Sequence, residues 1–190
     1  GKPTGYEISN SLRFDGSSSY MSRASIGAGN RRSWTLSMWV KKSKIITNTE
    51  MFTWSSDQNS SDGSTHDGGG FYGIIQTDIV ATANHNYFVL SDGDGRIISS
   101  ANARDPSAWQ HMVWQVDTAS STEADRLKLY INGERITSQQ KSQEEVAVNK
   151  DTNWNRDGST MYLGNDQPYT RYYFDGYMAE VAFIDGQSYD

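Results

Sequence analysis

The residues of this chain best equipped for chemistry are aromatic rings set among amides and carboxylates. Trp154 sits inside Asn153-Trp-Asn-Arg-Asp157, and Tyr169, Tyr172 and Tyr173 follow Asn165 and Asp166 in a stretch where no alternation would bury them. An exposed indole or phenol offers a flat π face to the C–H surface of a sugar, while planar amides and carboxylates hydrogen-bond its hydroxyls. Trp54 and Tyr72, which bracket a long Ser/Asp/Gly run, are the next candidates for the same carbohydrate-binding work. The competing reading is that such rings lie back over a sheet edge as satellite packing. Trp39, Trp109 and Trp114 fall inside apolar strand patterns and are expected in the core.

Other chemistry is sparsely equipped. Asn153, Asn155 and Asp157 followed by Gly158 alternate like the opening of a calcium loop, and carboxylate and carbonyl oxygens are what that ion takes. Counting Asn153 as position one, position twelve is Gly164 where a bidentate Glu would be needed, so this is no EF-hand. The acids of Asp92-Gly-Asp94-Gly, and Asp57, Asp62 and Asp67, serve equally well as turn formers. His66, His85 and His111 have no metal-ligand spacing, and neither a Gly-x-Ser-x-Gly elbow nor a phosphate-cradling loop occurs. Glycoside hydrolysis needs two carboxylates across the scissile bond. Here Glu144 and Glu145 are adjacent and diverge on a strand, and Glu180 stands alone among apolar neighbours. His111 alternates with Met112 and is expected as a partly buried, hydrogen-bonded side chain.

The elements that must position these residues are strands. Trp34–Lys42 alternates strictly, with Leu36, Met38 and Val40 on one face and Thr35, Ser37 and Trp39 on the other. Strands are also expected at Ser11–Phe14, Tyr20–Ala24, Met51–Ser55, Phe71–Thr77, Tyr87–Ser91, Arg96–Ser100, Trp109–Val116, Arg126–Ile131 and Glu134–Ser138. From Gly176 onward Met178, Glu180, Ala182 and Ile184 would point one way and Ala179, Val181 and Phe183 the other, the mark of a covered central strand. Asn132-Gly133 is the strongest hairpin signal, because both residues tolerate positive φ. Nowhere do apolar residues hold a 3.6-residue period over three turns; Thr122–Arg126 and Gln143–Val146 could each form one helical turn. Ten or more short strands separated by turn residues give an all-β, two-sheet antiparallel β-sandwich of the jelly-roll kind. Trp34/Trp39 and Trp109/Trp114 share an offset of five, which places each pair on opposite faces of its strand.

Composition bounds the rest. The 190 residues form one domain over 10–190, preceded by an arm or expression remnant over 1–9. There are 0 cysteines, so no disulfide framework or thiolate chemistry exists, and folding rests on packing. No leader pattern opens the chain and no apolar run reaches membrane-spanning length, so a soluble, mature chain without membrane insertion is expected. Net charge is −6, with +5 on residues 1–50 and −11 on the remainder. The cluster Arg31, Arg32, Lys41, Lys42 and Lys44 reads as a solvated edge, since the acidic pI of about 5.0 argues against a nucleic-acid partner.

Four blocks occur in order: Leu12-Arg-Phe-Asp-Gly-Ser with Tyr20; Trp34-Thr-Leu-Ser-Met-Trp-Val-Lys41; Trp109-Gln-His-Met-Val-Trp with Leu127-Lys-Leu-Tyr-Ile-Asn-Gly133; and Tyr162-Leu-Gly164 with Tyr173-Phe-Asp-Gly-Tyr-Met-Ala-Glu-Val181. From Leu12 to Gln187 the chain resembles the laminin G-like, pentraxin-like group of concanavalin A-like lectin/glucanase jelly rolls. The wording is most similar to versions in tail-fibre and other virion proteins of tailed phages, particularly marine ones, at Gly29-Asn-Arg-Arg-Ser-Trp34, Trp114-Gln-Val-Asp-Thr118 and Phe174–Gly186. The resemblance implies two curved sheets with ligands on the concave face or at the loop rim, and calcium as a recurrent ion. The glycosidases of this fold carry a Glu-x-Asp-x-x-Glu strand motif that this sequence lacks. The expectation is therefore a non-enzymatic module on a virion surface, assembled in the host cytoplasm, binding host surface glycans. The alternative is a structural or decoration domain contacting other virion proteins, with a homo-oligomer as one form of it; a glycoside hydrolase is the third reading.

Overall fold

The computed structural model describes residues 7–24, 27–44, 50–56, 72–77, 86–91, 96–98, 105–136, 146–152, 154–158, 160–165, 170 and 172–189; between residues 50 and 98 it describes strand backbone. Among the described residues twelve strands form two antiparallel six-stranded sheets. The first takes β1 (Leu12–Asp15), β12 (Asp175–Asp185), β3 (Ser33–Lys42), β8 (Gln110–Asp117), β9 (Leu127–Ile131) and β10 (Glu134–Arg135) in that lateral order. The second takes β2 (Met21–Ala24), β11 (Thr160–Leu163), β4 (Glu50–Ser56), β5 (Tyr72–Thr77), β6 (Asn86–Ser91) and β7 (Arg96–Ile98). A single 3-10 turn, Glu123–Asp125, is the helical content among the described residues, within the segment where one turn was expected. The Gln143–Val146 turn falls largely outside the described residues, as does most of the Ser56–Gly70 run.

Alternation builds the core. Leu36 lies opposite Trp114 and Met38 opposite Met112 across β3 and β8, while Trp114 and Met112 face Leu129 and Ile131 of β9. All six are buried. Each side chain of this size removed from water contributes about 1.5–3 kcal/mol. Asn132 and Gly133 adopt φ of 54° and 82°, the mirror-image turn that matches strand twist, and close the β9–β10 hairpin as their types dictate.

Three sequence expectations are corrected. Trp114 is core at 1% exposure, but Trp39 and Trp109 are only half-buried and lie on the solvent face of the first sheet. The five-residue offset in each tryptophan pair therefore holds, and the burial assigned to Trp39 and Trp109 does not. Strand β12 is central, between β1 and β3, yet its alternation breaks: Glu180 has φ of 51°, and Glu180 and Val181 together oppose Met38 in a β-bulge. Met178 and Phe183 consequently pack on the same core despite their odd spacing, and Val181 and Ala182 are exposed. The basic cluster is not a simple solvated edge. Arg31 Nε donates to the Thr152 carbonyl (2.6 Å), Arg32 pairs with Asp151 (2.5 Å), Lys44 pairs with Asp175 (3.1 Å), and Lys42 is buried.

The turn after β1 carries a testable electrostatic feature. One carboxylate oxygen of Asp15 accepts the backbone N–H groups of Ser17, Ser18 and Ser19 at 2.8–2.9 Å, and the other accepts the Ser18 hydroxyl. These donors, Ser18 foremost, favour the charged form and hold the carboxyl far below the usual carboxylate range. A lowered folded-state value stabilises the fold above the unfolded value of about 4 and loses that stabilisation as pH falls below it. The melting-temperature gap between the natural protein and Asp15→Asn is thus expected to be constant above about pH 5 and to shrink on acidification, read by thermal melts across pH.

Candidate functional site

The candidate site grows out of the period of two in β11. Met161 and Leu163 pack against the core, so Tyr162 between them stands on the solvent face of the second sheet. Tyr20, 43% exposed just before β2, meets it with ring centroids 6.3 Å apart and planes at 55°. The register then carries a single row across five strands: Ser22 of β2 opposite Tyr162, Tyr162 opposite Trp54 of β4, Trp54 opposite Tyr72 of β5, and Tyr72 opposite Ser91 of β6. Neighbouring strands lie about 4.8 Å apart, so the Tyr162 and Tyr72 positions are about 10 Å apart along a straight line. Thr160, Ser56 and Ala24 form the next row of the same parity. Aromatic positions on a rigid sheet, flanked by hydroxyl-bearing ones, are the requirements of a stacking platform for a chain of sugar rings.

The other residues singled out in the sequence fare differently. Trp154, expected in an exposed loop, is 1% exposed. Its ring stacks on Trp34 at 5.7 Å and 28° and tilts against Phe183 at 5.8 Å, so it closes one end of the core and is not an exposed stacking platform. Asn165, expected beside the tyrosines as an exposed partner, is fully buried. Tyr172 and Tyr173 are half-buried, with Tyr172 at φ of 58°, and Tyr169 lies outside the described residues.

The calcium-like triplet is also redirected. Asn153 lies outside the described residues, and Asp157 is exposed. The Asn155 side-chain amide donates to the Asn30 carbonyl (3.2 Å) and to an Asp185 oxygen (2.6 Å), and that same oxygen accepts the Asn30 backbone N–H (2.8 Å). Of the triplet, these hydrogen bonds involve Asn155. Their task is to staple the Asn30–Arg32 corner to the end of β12. Among the described residues no group of three or more His, Asp or Glu stands together to hold a metal.

A second aromatic surface, missed in the sequence reading, covers the solvent face of the first sheet. Trp39 and His111, directly opposed in β3 and β8, stack with centroids 4.9 Å apart. His111 Nε2 and the Ser37 hydroxyl are 2.8 Å apart, as expected of a satisfied, partly buried histidine. Trp109 meets Tyr177 edge-on at 6.5 Å, and the Arg13 guanidinium lies 5.2 Å above the Tyr177 ring. The signal was available: parity in Trp34–Lys42 excludes Trp39 from the face of Leu36 and Met38. Burial lowers the His111 pKa, and the Glu180 carboxylate acts against that shift. Glu180→Gln is expected to lower it further, read as a displaced imidazole titration by NMR.

Among the described residues no helix is long and apolar enough to cross a membrane. No curated protein matches the sequence. Solved structures that share the fold include a native heptameric SAP-like pentraxin from Limulus polyphemus (13% identity, 90% of this chain and 73% of that chain, TM-score 0.59). Domain 4 of AbnA, a GH43 extracellular arabinanase of Geobacillus stearothermophilus, in complex with arabinotriose, aligns at 17% identity over 93% of this chain and 70% of that chain, TM-score 0.55. The enzymatically active domain of tailspike protein 2 of bacteriophage CBA120 aligns at 13% identity over 98% of this chain and 30% of that chain, TM-score 0.53. Identities this low speak to the fold alone. The described family fits residues 15–187, nearly the whole chain, and on that ground the protein belongs to the concanavalin A-like lectin/glucanases superfamily.

Proposed function

We propose that this domain is a non-enzymatic recognition module of a phage particle, carried on a tail fibre or other virion surface appendage, that binds host surface glycans on the solvent face of its second sheet. The observation that carries this reading is the single register row Tyr162–Trp54–Tyr72 with Tyr20 against its end. The reading draws support from relatives of the same fold, one solved with arabinotriose and one a phage tailspike. Stacked rings are worth about 0.5–1.5 kcal/mol beyond the area they bury. Tyr162→Ala and Trp54→Ala are each expected to weaken glycan binding about tenfold, since about 1.4 kcal/mol corresponds to that factor. A glycan array followed by calorimetry on the best hit tests it. An array silent with calcium present and absent, or binding indifferent to removal of all three rings, overturns it.

The aromatic face of the first sheet favours a second reading, in which the domain contacts another virion protein or a further copy of itself. Trp and Tyr are typical interface anchors. Under that reading Trp39→Ala abolishes association measured by solution mass and leaves glycan binding intact.

A further inference from the structure

The two sheets do not meet along the edge formed by β1 and β2. Between them lies an open cavity of about 450 Å³, within the size range of small-molecule sites, with Leu12, Phe14, Met21, Met161, Met178 and Phe183 in its lining. Three methionines, Met21 and Met161 from the second sheet and Met178 from the first, make it apolar and adaptable, since an unbranched thioether conforms to flexible guests. Leu12 and Met21 at this edge are 53% and 46% exposed, so the apolar surface is open to solvent.

One residue is out of character with that lining. Arg23 stands directly opposite Met161 in the β2–β11 pairing, and opposed residues share a face, so the guanidinium belongs to the core-facing side of the sheet. It lines the apolar cavity and also a second, adjoining one of about 310 Å³, which shares Met161 and Phe183 with the first and adds Arg156. The acid in that second lining, Asp185, already accepts hydrogen bonds from Asn30 and Asn155. The acid in the first, Glu180, sits in the β12 bulge, where its charge is felt by His111 on the opposite face of the sheet. The seam thus runs from an apolar, methionine-lined end to an arginine-lined end.

We infer that this seam is a binding site for a single long-chain carboxylate, with the alkyl chain between the sheets and the carboxylate on the Arg23 fork. A guanidinium receives a carboxylate through two parallel N–H donors, which fits it better than an uncharged or cationic head. The site is separate from the aromatic row, which occupies the other face of the second sheet, so each stands or falls alone.

The test is calorimetry on the folded domain with three probes below their micellar concentrations: decanoate, decyltrimethylammonium and acetate. Decanoate is expected to bind with one-to-one stoichiometry, the cationic analogue at least tenfold more weakly, and acetate without measurable heat. Arg23→Gln should weaken decanoate about tenfold and abolish the preference between the two chains. Met161→Trp should fill the cavity and remove binding of both. Met21→Glu, on a solvent-exposed position at the rim, gives the same loss for decanoate if the tryptophan variant fails to fold, circular dichroism melts reporting the fold throughout. Absence of saturable decanoate binding, equal binding of the cationic analogue, or binding unchanged by the filled cavity overturns the inference.

Discussion

Replacing Trp154 with alanine is expected to destabilise the domain by about 3–5 kcal/mol, the range for deleting a fully buried aromatic side chain. The ring touches Trp34 and Phe183, and the strand end beneath it is held by Thr152. The Thr152 hydroxyl accepts the Trp34 indole N–H (3.2 Å) and donates to the Arg31 carbonyl (2.7 Å), while its backbone N–H donates to that same carbonyl (3.1 Å). Removing the indole leaves a void between Trp34 and Phe183, which stand on paired strands held by backbone hydrogen bonds, so relaxation recovers little of the loss. Urea unfolding reads the effect, and Trp154→Phe should lose distinctly less. Glycan affinity of the folded fraction should be unchanged, because the ring presents no face to solvent. A loss below about 1 kcal/mol would show that the residue lies on the surface, as its polar surroundings in the sequence suggest.

Gly164→Ala is the second large effect. Its backbone has φ of 92°, a conformation costing a non-glycine residue about 1–3 kcal/mol. An added methyl would also lie 2.5 Å from Cδ1 of Phe14, a buried ring. Phe14 cannot swing away, because it packs on Phe174 at 6.0 Å and Phe174 is tied to Gly164 by a 2.7 Å backbone hydrogen bond. Overpacking of this kind costs about 1–3 kcal/mol more. The expected outcome is a sharply lowered midpoint in denaturant with an unchanged slope. Gly133→Ala, also at positive φ but with open space around it, should lose only the backbone part. Equal losses at the two positions would exclude the steric half of this account.

What was legible in the chain and what was not divides along a physical line. Strand positions, the absence of long helices, the Asn132-Gly133 hairpin and the two-sheet architecture follow from alternation and turn chemistry, which act over a few residues. The faces of Trp34 and Trp39 were equally legible, since the pleat alone separates them. The bulge at Glu180 was not, because it appears only in the long-range pairing of β12 with β3, beyond the end of the β1 pairing at Met178, and it inverts the parity of everything after it.

The candidate site shows the same division. Trp54 and Tyr72 were identifiable as aromatics flanking a polar run, but their alignment with Tyr162 depends on a strand more than 80 residues further along the chain sliding between β2 and β4. Trp154 was misplaced for the complementary reason. Its sequence neighbours are polar because they bind the Asn30–Arg32 corner and Asp185, and burial is decided by which distant surfaces arrive, not by adjacent residues. The sequence by itself thus determined the elements, their types and the family they assemble into. Register and sheet-to-sheet packing, set by long-range pairing that no local pattern encodes, decided which rings became core and which were left facing solvent.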